Sequence, residues 1–119
     1  MYATLCRLSF TEVKRMLNRS VFMGRLTRDP ELRHTESGKA VANFTLAVDR
    51  DHNRDETDFI DCIAWNGTAE FVSKYFRKGQ MAVVTGRLQM RKYEAKDGGR
   101  RTAYEIVADN VYFGESKKD

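Results

Sequence analysis

Between residues 42 and 49 the chain alternates with a period of two. Ala42, Phe44, Leu46 and Val48 are apolar, and Asn43, Thr45, Ala47 and Asp49 stand between them. That period assigns alternate side chains to opposite faces of a β-strand, so the segment predicts a strand with one buried and one wet face. Residues 58–65 predict a second strand of the same kind. Ile60, Cys62 and Ala64 fall on one face, and Phe59, Asp61, Ile63 and Trp65 on the other. Ahead of both, residues 20–27 hold Val21, Phe22 and Met23 followed by Gly24 and predict the first strand. Arg28-Asp29-Pro30-Glu31 reads as a turn, with Pro30 fixing its backbone angle, and Glu36-Ser37-Gly38-Lys39 as another. Residues 50–57 read as a polar loop.

After Trp65 the period changes. Phe71, Val72, Tyr75 and Phe76 lie on one side of a helix over residues 68–78. Thr68 is placed to cap its start and Gly79 to stop it. Arg77 and Lys78 suit the negative end of its dipole. A long strand follows over residues 81–93, with Gly86 allowing a bend. Asp97-Gly98-Gly99 makes a hairpin tip, and residues 102–112 form the last strand. No internal repeat is visible. The predicted class is all-β with one helix: a five-stranded OB-fold barrel with the helix between strands 3 and 4.

Composition narrows the setting. A chain of 119 residues suits one domain. No apolar run approaches the roughly 20 residues that cross a bilayer, so no membrane role is expected. Residues 1–15 lack the long apolar stretch and small-residue cleavage site of a signal peptide. Cys6 and Cys62 form no CxxC pair and read as free thiols in a reducing compartment, which agrees with the cytoplasmic location expected by default. A net charge of +4 is compatible with a polyanionic partner without establishing one. Residues 1–15 follow neither period and are read as a flexible extension. Thr11-Glu12-Val13-Lys14-Arg15 is encodable by a purine-rich, ribosome-binding-like sequence just before the Met16 codon, which favours Met16 as the natural start. A true N-terminal arm is the alternative. Residues 16–114 are read as the folded domain and 115–119 as a short tail.

Binding a single nucleic-acid strand takes flat aromatic faces for the bases and cations for the phosphates. Phe59 and Trp65 share one face of their strand, opposite the small set Ile60, Cys62 and Ala64. Arg87, Gln89, Arg91 and Tyr93 share a face by alternation, Lys92 adjoins them, and Arg100 and Arg101 follow the hairpin tip. The bland reading stays open at this point: Phe59 and Trp65 as core or subunit contact, Tyr93 as a hairpin stabiliser, the arginines as solvated charge. Asp55, Glu56, Asp58 and Asp61 could hold Mg²⁺, but a solvated loop feeding a strand is the favoured reading. His34 and His52 lack zinc-ligand spacing. No base–nucleophile pair converges, so neither catalysis, metal nor cofactor is expected.

Residues 16–113 resemble the bacterial single-stranded DNA-binding protein family. The resemblance rests on Leu17-Asn18-Arg19, on the run from Gly24 to Arg33 with its Asp29-Pro30-Glu31, and on Gly38-Lys39-Ala40-Val41-Ala42-Asn43-Phe44-Thr45-Leu46-Ala47. It continues through Thr57-Asp58-Phe59, Ala69-Glu70, Tyr75-Phe76-Arg77-Lys78-Gly79 and Gly86-Arg87-Leu88. It implies a homotetramer of OB-folds that binds single-stranded DNA without sequence preference in replication, recombination and repair. It assigns base stacking to Phe59, Trp65 and Tyr93, and phosphate contact to Arg19, Lys78, Arg91 and Lys92. The alternation adds Arg87, and their place after the hairpin tip adds Arg100 and Arg101. Three positions where relatives can carry a cation are here Asp61, Gly67 and Gln89, and His52 falls near a further family aromatic. The chain closes on Ser116-Lys117-Lys118-Asp119 instead of the family's acidic, partner-recruiting tip, which puts tail-mediated recruitment in doubt. A tailless OB-fold adaptor of the primosome and an RNA-binding OB protein are the alternatives.

Overall fold

A computed structural model describes residues 16–52 and 55–114. The expectations for residues 1–15 and 115–119 lie outside these. The elements run β1 (Ser20–Leu26), β2 (Glu31–His34), β3 (Ala40–Asp49), β4 (Thr57–Trp65), α1 (Asn66–Tyr75), β5 (Met81–Glu94) and β6 (Arg100–Phe113). The sheet order is β1-β5-β6-β4-β3-β2, with a further pairing of β1 to β3. That pairing, Arg25↔Ala47 and Leu26↔Leu46, returns β1 to β3. Five strands therefore form a continuous ring of pairings, the OB arrangement, and β2 is added along the part of β3 that β1 leaves uncovered.

The sixth strand is the one difference from the five expected. β2 is exposed along its whole length. It carries no period-two apolar signal, because it buries neither face. It exists through its ladder with Ala40 to Asn43 of β3, a tertiary cause that alternation does not record. The helix occupies the expected place in the chain, which is between the fourth and fifth of six strands.

The helix boundaries differ from the predicted 68–78 for a local reason. Trp65 ends β4 in an extended conformation, and Asn66 at φ +55 makes an abrupt change of direction into α1. Asn tolerates the left-handed region better than most residues. Thr68 therefore sits inside the first turn and does not cap it; its hydroxyl donates to the Asp109 carbonyl at 3.5 Å. At the other end Phe76 is already extended. Arg77 Nη1 donates to the Ser73 and Phe76 carbonyls at 2.6 and 2.8 Å, as a cation at a helix C-terminus should. Gly79, at φ +86, serves the turn into β5 rather than the helix end. Its N–H donates to the Leu26 carbonyl at 2.8 Å.

The core lies inside the ring. Phe44 and Leu46 of β3, Cys62 and Ala64 of β4, Val72 of α1, Phe76, Val84 of β5 and Ile106 of β6 are all buried there. Two glycines permit close crossings. A Cβ on Gly24 would lie 2.6 Å from the Ala47 carbonyl oxygen, where β1 meets β3, and one on Gly86 would collide with that of Val107. The β5–β6 register shifts between Thr85 and Gly86, so the expected bend at Gly86 is a bulge. Beyond it, the last eight residues of β5 are exposed, and the β5–β6 hairpin projects past the core.

Candidate nucleic-acid interface

β4 presents the first half of the site. Its inward positions Cys62 and Ala64 are buried, which turns Phe59, Asp61, Ile63 and Trp65 to the opposite face. Phe59 is 65% exposed and Trp65 39%. The two rings stand six residues apart, about 20 Å along the strand. Trp65 is cross-paired with Val41, and Ile63 with Val107 on the parallel neighbour β6. Val41 and Val107 are buried, yet they lie outside the main core cluster. They form a small apolar floor under the outer face. Between the aromatics, Asp61 Oδ1 accepts a hydrogen bond from the Thr45 hydroxyl at 3.0 Å.

The hairpin supplies the second half. Residues paired across an antiparallel ladder point to the same side. Arg87↔Val107, Gln89↔Glu105, Arg91↔Ala103 and Tyr93↔Arg101 are such pairs. They continue the outer face of β4 through β6 and onto β5. Tyr93 is 43% exposed. The Arg91 guanidinium lies 5.7 Å from the Tyr93 ring centre and 3.6 Å from the Glu105 carboxylate. The tip is held by Asp97, which accepts from the Gly99 N–H at 2.9 Å and from Arg101 at 3.0 Å. Those two donors hold the Asp97 carboxyl below its ordinary range.

One face thus carries three exposed aromatics, at Phe59, Trp65 and Tyr93, with Arg87, Arg91 and Arg101 among them. The model of the single-strand binding protein family matches residues 17–114. The chain belongs to that family. It is 50% identical over 107 residues to a single-stranded DNA-binding protein of Fusobacterium nucleatum, covering 85% of this chain and 69% of that one. It is 51% identical over 108 residues to single-stranded DNA-binding protein 3 of Listeria innocua, covering 87% and 68%. To a single-stranded DNA-binding protein of Halalkalibacterium halodurans it is 50% identical over 106 residues, covering 86% and 63%. The chain spans about two thirds of the length of these relatives.

Within this single-strand binding fold, the other basic positions read from the sequence do not share the aromatic face. Lys92↔Thr102 and Glu94↔Arg100 point to the reverse side of the hairpin, with Leu88 and Met90. Arg19 precedes β1 and pairs with Asp109 at 3.6 Å. Lys78 lies in the loop between α1 and β5, where its N–H donates to Asp29 at 2.8 Å. Gly67 lies in the first turn of α1, and His52 in the β3–β4 loop. That loop is tied at its root by Arg50, which meets Glu56 at 2.6 Å and Asp58 at 3.0 Å.

Three contributors to the face carry no marking in the sequence. Glu105 becomes visible as the partner of Arg91 only when the hairpin register is counted back from its tip. Thr45 reads as a wet-side position of β3 and Val41 precedes the alternating run, and the roles of both depend on which β4 residues face them. Among the described residues no group of three His, Cys, Asp or Glu side chains is placed to hold a metal ion. No helix among them is long and apolar enough to cross a membrane.

Proposed function

We propose that this chain binds single-stranded DNA of any sequence on the outer face of β4, β6 and β5. The observation that carries the reading is the exposure of Phe59, Trp65 and Tyr93 on one continuous face interleaved with arginines. Every base has a π-face, so stacking serves any sequence, and duplex DNA, whose faces are already stacked, is excluded. Arg87, Arg91 and Arg101 take the phosphates on this face, while Lys92 and Arg100 line the reverse of the hairpin for a strand that wraps it. Arg19 and Lys78 follow the strand beyond the face. Binding, not bond cleavage, is the whole activity, and it serves DNA replication, recombination and repair in the cytoplasm.

The binding unit is a homotetramer in this proposal. Val21 and Met23 of β1 and Tyr112 of β6 are exposed apolar side chains. Val21↔Thr85, Met23↔Val83 and Val83↔Tyr112 bring them onto one patch. The Thr85 hydroxyl within it is buried without a hydrogen-bond partner. A second copy covers such a patch.

Trp65 is the one tryptophan in the chain, so its fluorescence is a direct probe. Adding poly-dT quenches it strongly, and adding duplex DNA at the same phosphate concentration does not. Unchanged emission at saturating poly-dT overturns the reading. Stronger binding of an RNA homopolymer than of poly-dT shifts it to RNA.

A further inference from the structure

We infer that Asp61 gives the platform a base preference, favouring bases with an exocyclic amine over thymine or uracil at the site between Phe59 and Trp65. The inference deepens the single-strand reading and rests on it. Asp61 lies on the exposed face of β4, two residues from Phe59 and four from Trp65. Bases stacked near those rings bring their edges toward it. A carboxylate there is unfavourable for phosphate contact, and it accepts hydrogen bonds only.

Its geometry is that of an oriented acceptor. The Thr45 hydroxyl donates to Oδ1 at 3.0 Å and holds that oxygen toward β3. Among the described residues no cation forms a salt bridge to Asp61. The neighbouring carboxylate is different. Continuing the β4–β6 register, Cys62↔Ile106 and Ile63↔Val107, by one residue sets Glu105 beside Asp61. Glu105 is buried and is met by Arg91 at 3.6 Å. Arg91 thus serves Glu105, and Asp61 keeps Oδ2 as an acceptor on an open face.

Cytosine N4 and adenine N6 offer N–H donors to such an acceptor, and a carboxylate accepts from cytosine N4 in known readout geometry. Uracil and thymine present O4 at the corresponding edge, a second acceptor, which the carboxylate repels. The discrimination acts at one nucleotide of a bound strand, so it modulates a general binder without making it sequence-specific.

The test compares oligo-dC with oligo-dU of equal length, which differ at N4/O4 and N3 and share the sugar and backbone. Titrations follow Trp65 quenching at pH 8 and fixed salt for the unaltered protein, Asp61→Asn and Asp61→Ala. The expected dC-over-dU affinity ratio falls about tenfold on going to Asp61→Ala. Asp61→Asn, which keeps one carbonyl acceptor, lies between. Affinity for oligo-dU rises in Asp61→Ala as the repulsion is removed, a gain that a merely damaged strand would not give. A ratio unchanged in Asp61→Ala while both oligomers still quench overturns this inference alone. Absence of quenching by either oligomer with unaltered protein overturns the binding reading and this inference together.

Discussion

At the scale of single residues, the faces of β4 were fully legible. Period two separated Cys62 and Ala64 from Phe59 and Trp65, and the structure buries the first pair and exposes the second. Alternation could not say which face was solvent, because burial is the commonest fate of large aromatics. The ring closure decides it by enclosing the small side chains. Truncating Trp65 to Ala should weaken single-strand binding by about 1–3 kcal/mol, read by filter binding or anisotropy with a labelled oligo-dT. An equal loss of thermal stability would instead make Trp65 a packing residue. Cys62 gives a residue-scale prediction about pH. Burial, and then the Asp61 carboxylate, push its thiol up to about 12. The unfolded chain loses that proton near the ordinary thiol value and the folded one does not. This contribution to stability is therefore complete below the ordinary thiol range and is lost as pH rises toward about 12. In a Cys6→Ser background the urea midpoint should fall across that window, and Cys62→Ala should flatten the fall.

At the scale of elements, local signals placed every expected strand and the helix, but not their ends. The helix was expected to start at Thr68 because Thr is a good cap. The reversal at Asn66 starts it two residues earlier, and a left-handed Asn is not distinguishable in sequence from an Asn in a loop. β2 was missed because an exposed edge strand leaves no apolar trace. The projecting hairpin was read as two strands and a tip, which is right. Its split into two basic faces, Arg87, Arg91 and Arg101 against Lys92 and Arg100, follows only from the register. The reason for Gly86 also sharpened, from a permitted bend to a close crossing. Substituting Gly86 with Ala should destabilise the fold by about 1–3 kcal/mol, because the added methyl meets backbone at Val107 that cannot rotate away. Chemical denaturation measures this. A neutral result would mean that the β5–β6 crossing relaxes.

At the scale of the whole molecule, charge and oligomeric state are coupled. A single face offers few arginines, and two of its three, Arg91 and Arg101, are already engaged by Glu105 and Asp97. Each phosphate neutralised contributes a slope of about −0.7 to the logarithm of affinity against the logarithm of salt. One chain alone should therefore give a shallow salt dependence. A tetramer that passes one strand over several faces multiplies it. The apolar patch on β1, β5 and β6 is where the difference can be made experimentally. Replacing Met23 with Glu places a charge at the centre of that patch, next to Val83, without touching β4 or the hairpin. The expected result is a smaller species by sedimentation equilibrium with a near-normal circular dichroism spectrum. On long poly-dT its salt slope should be markedly shallower, while quenching of Trp65 by a short oligo-dT persists, because the stacking face belongs to one chain. An unchanged mass would remove the patch from the assembly. A lowered mass with an unchanged slope would mean that each chain engages its phosphates independently, and that the wrap of the strand contributes nothing to affinity.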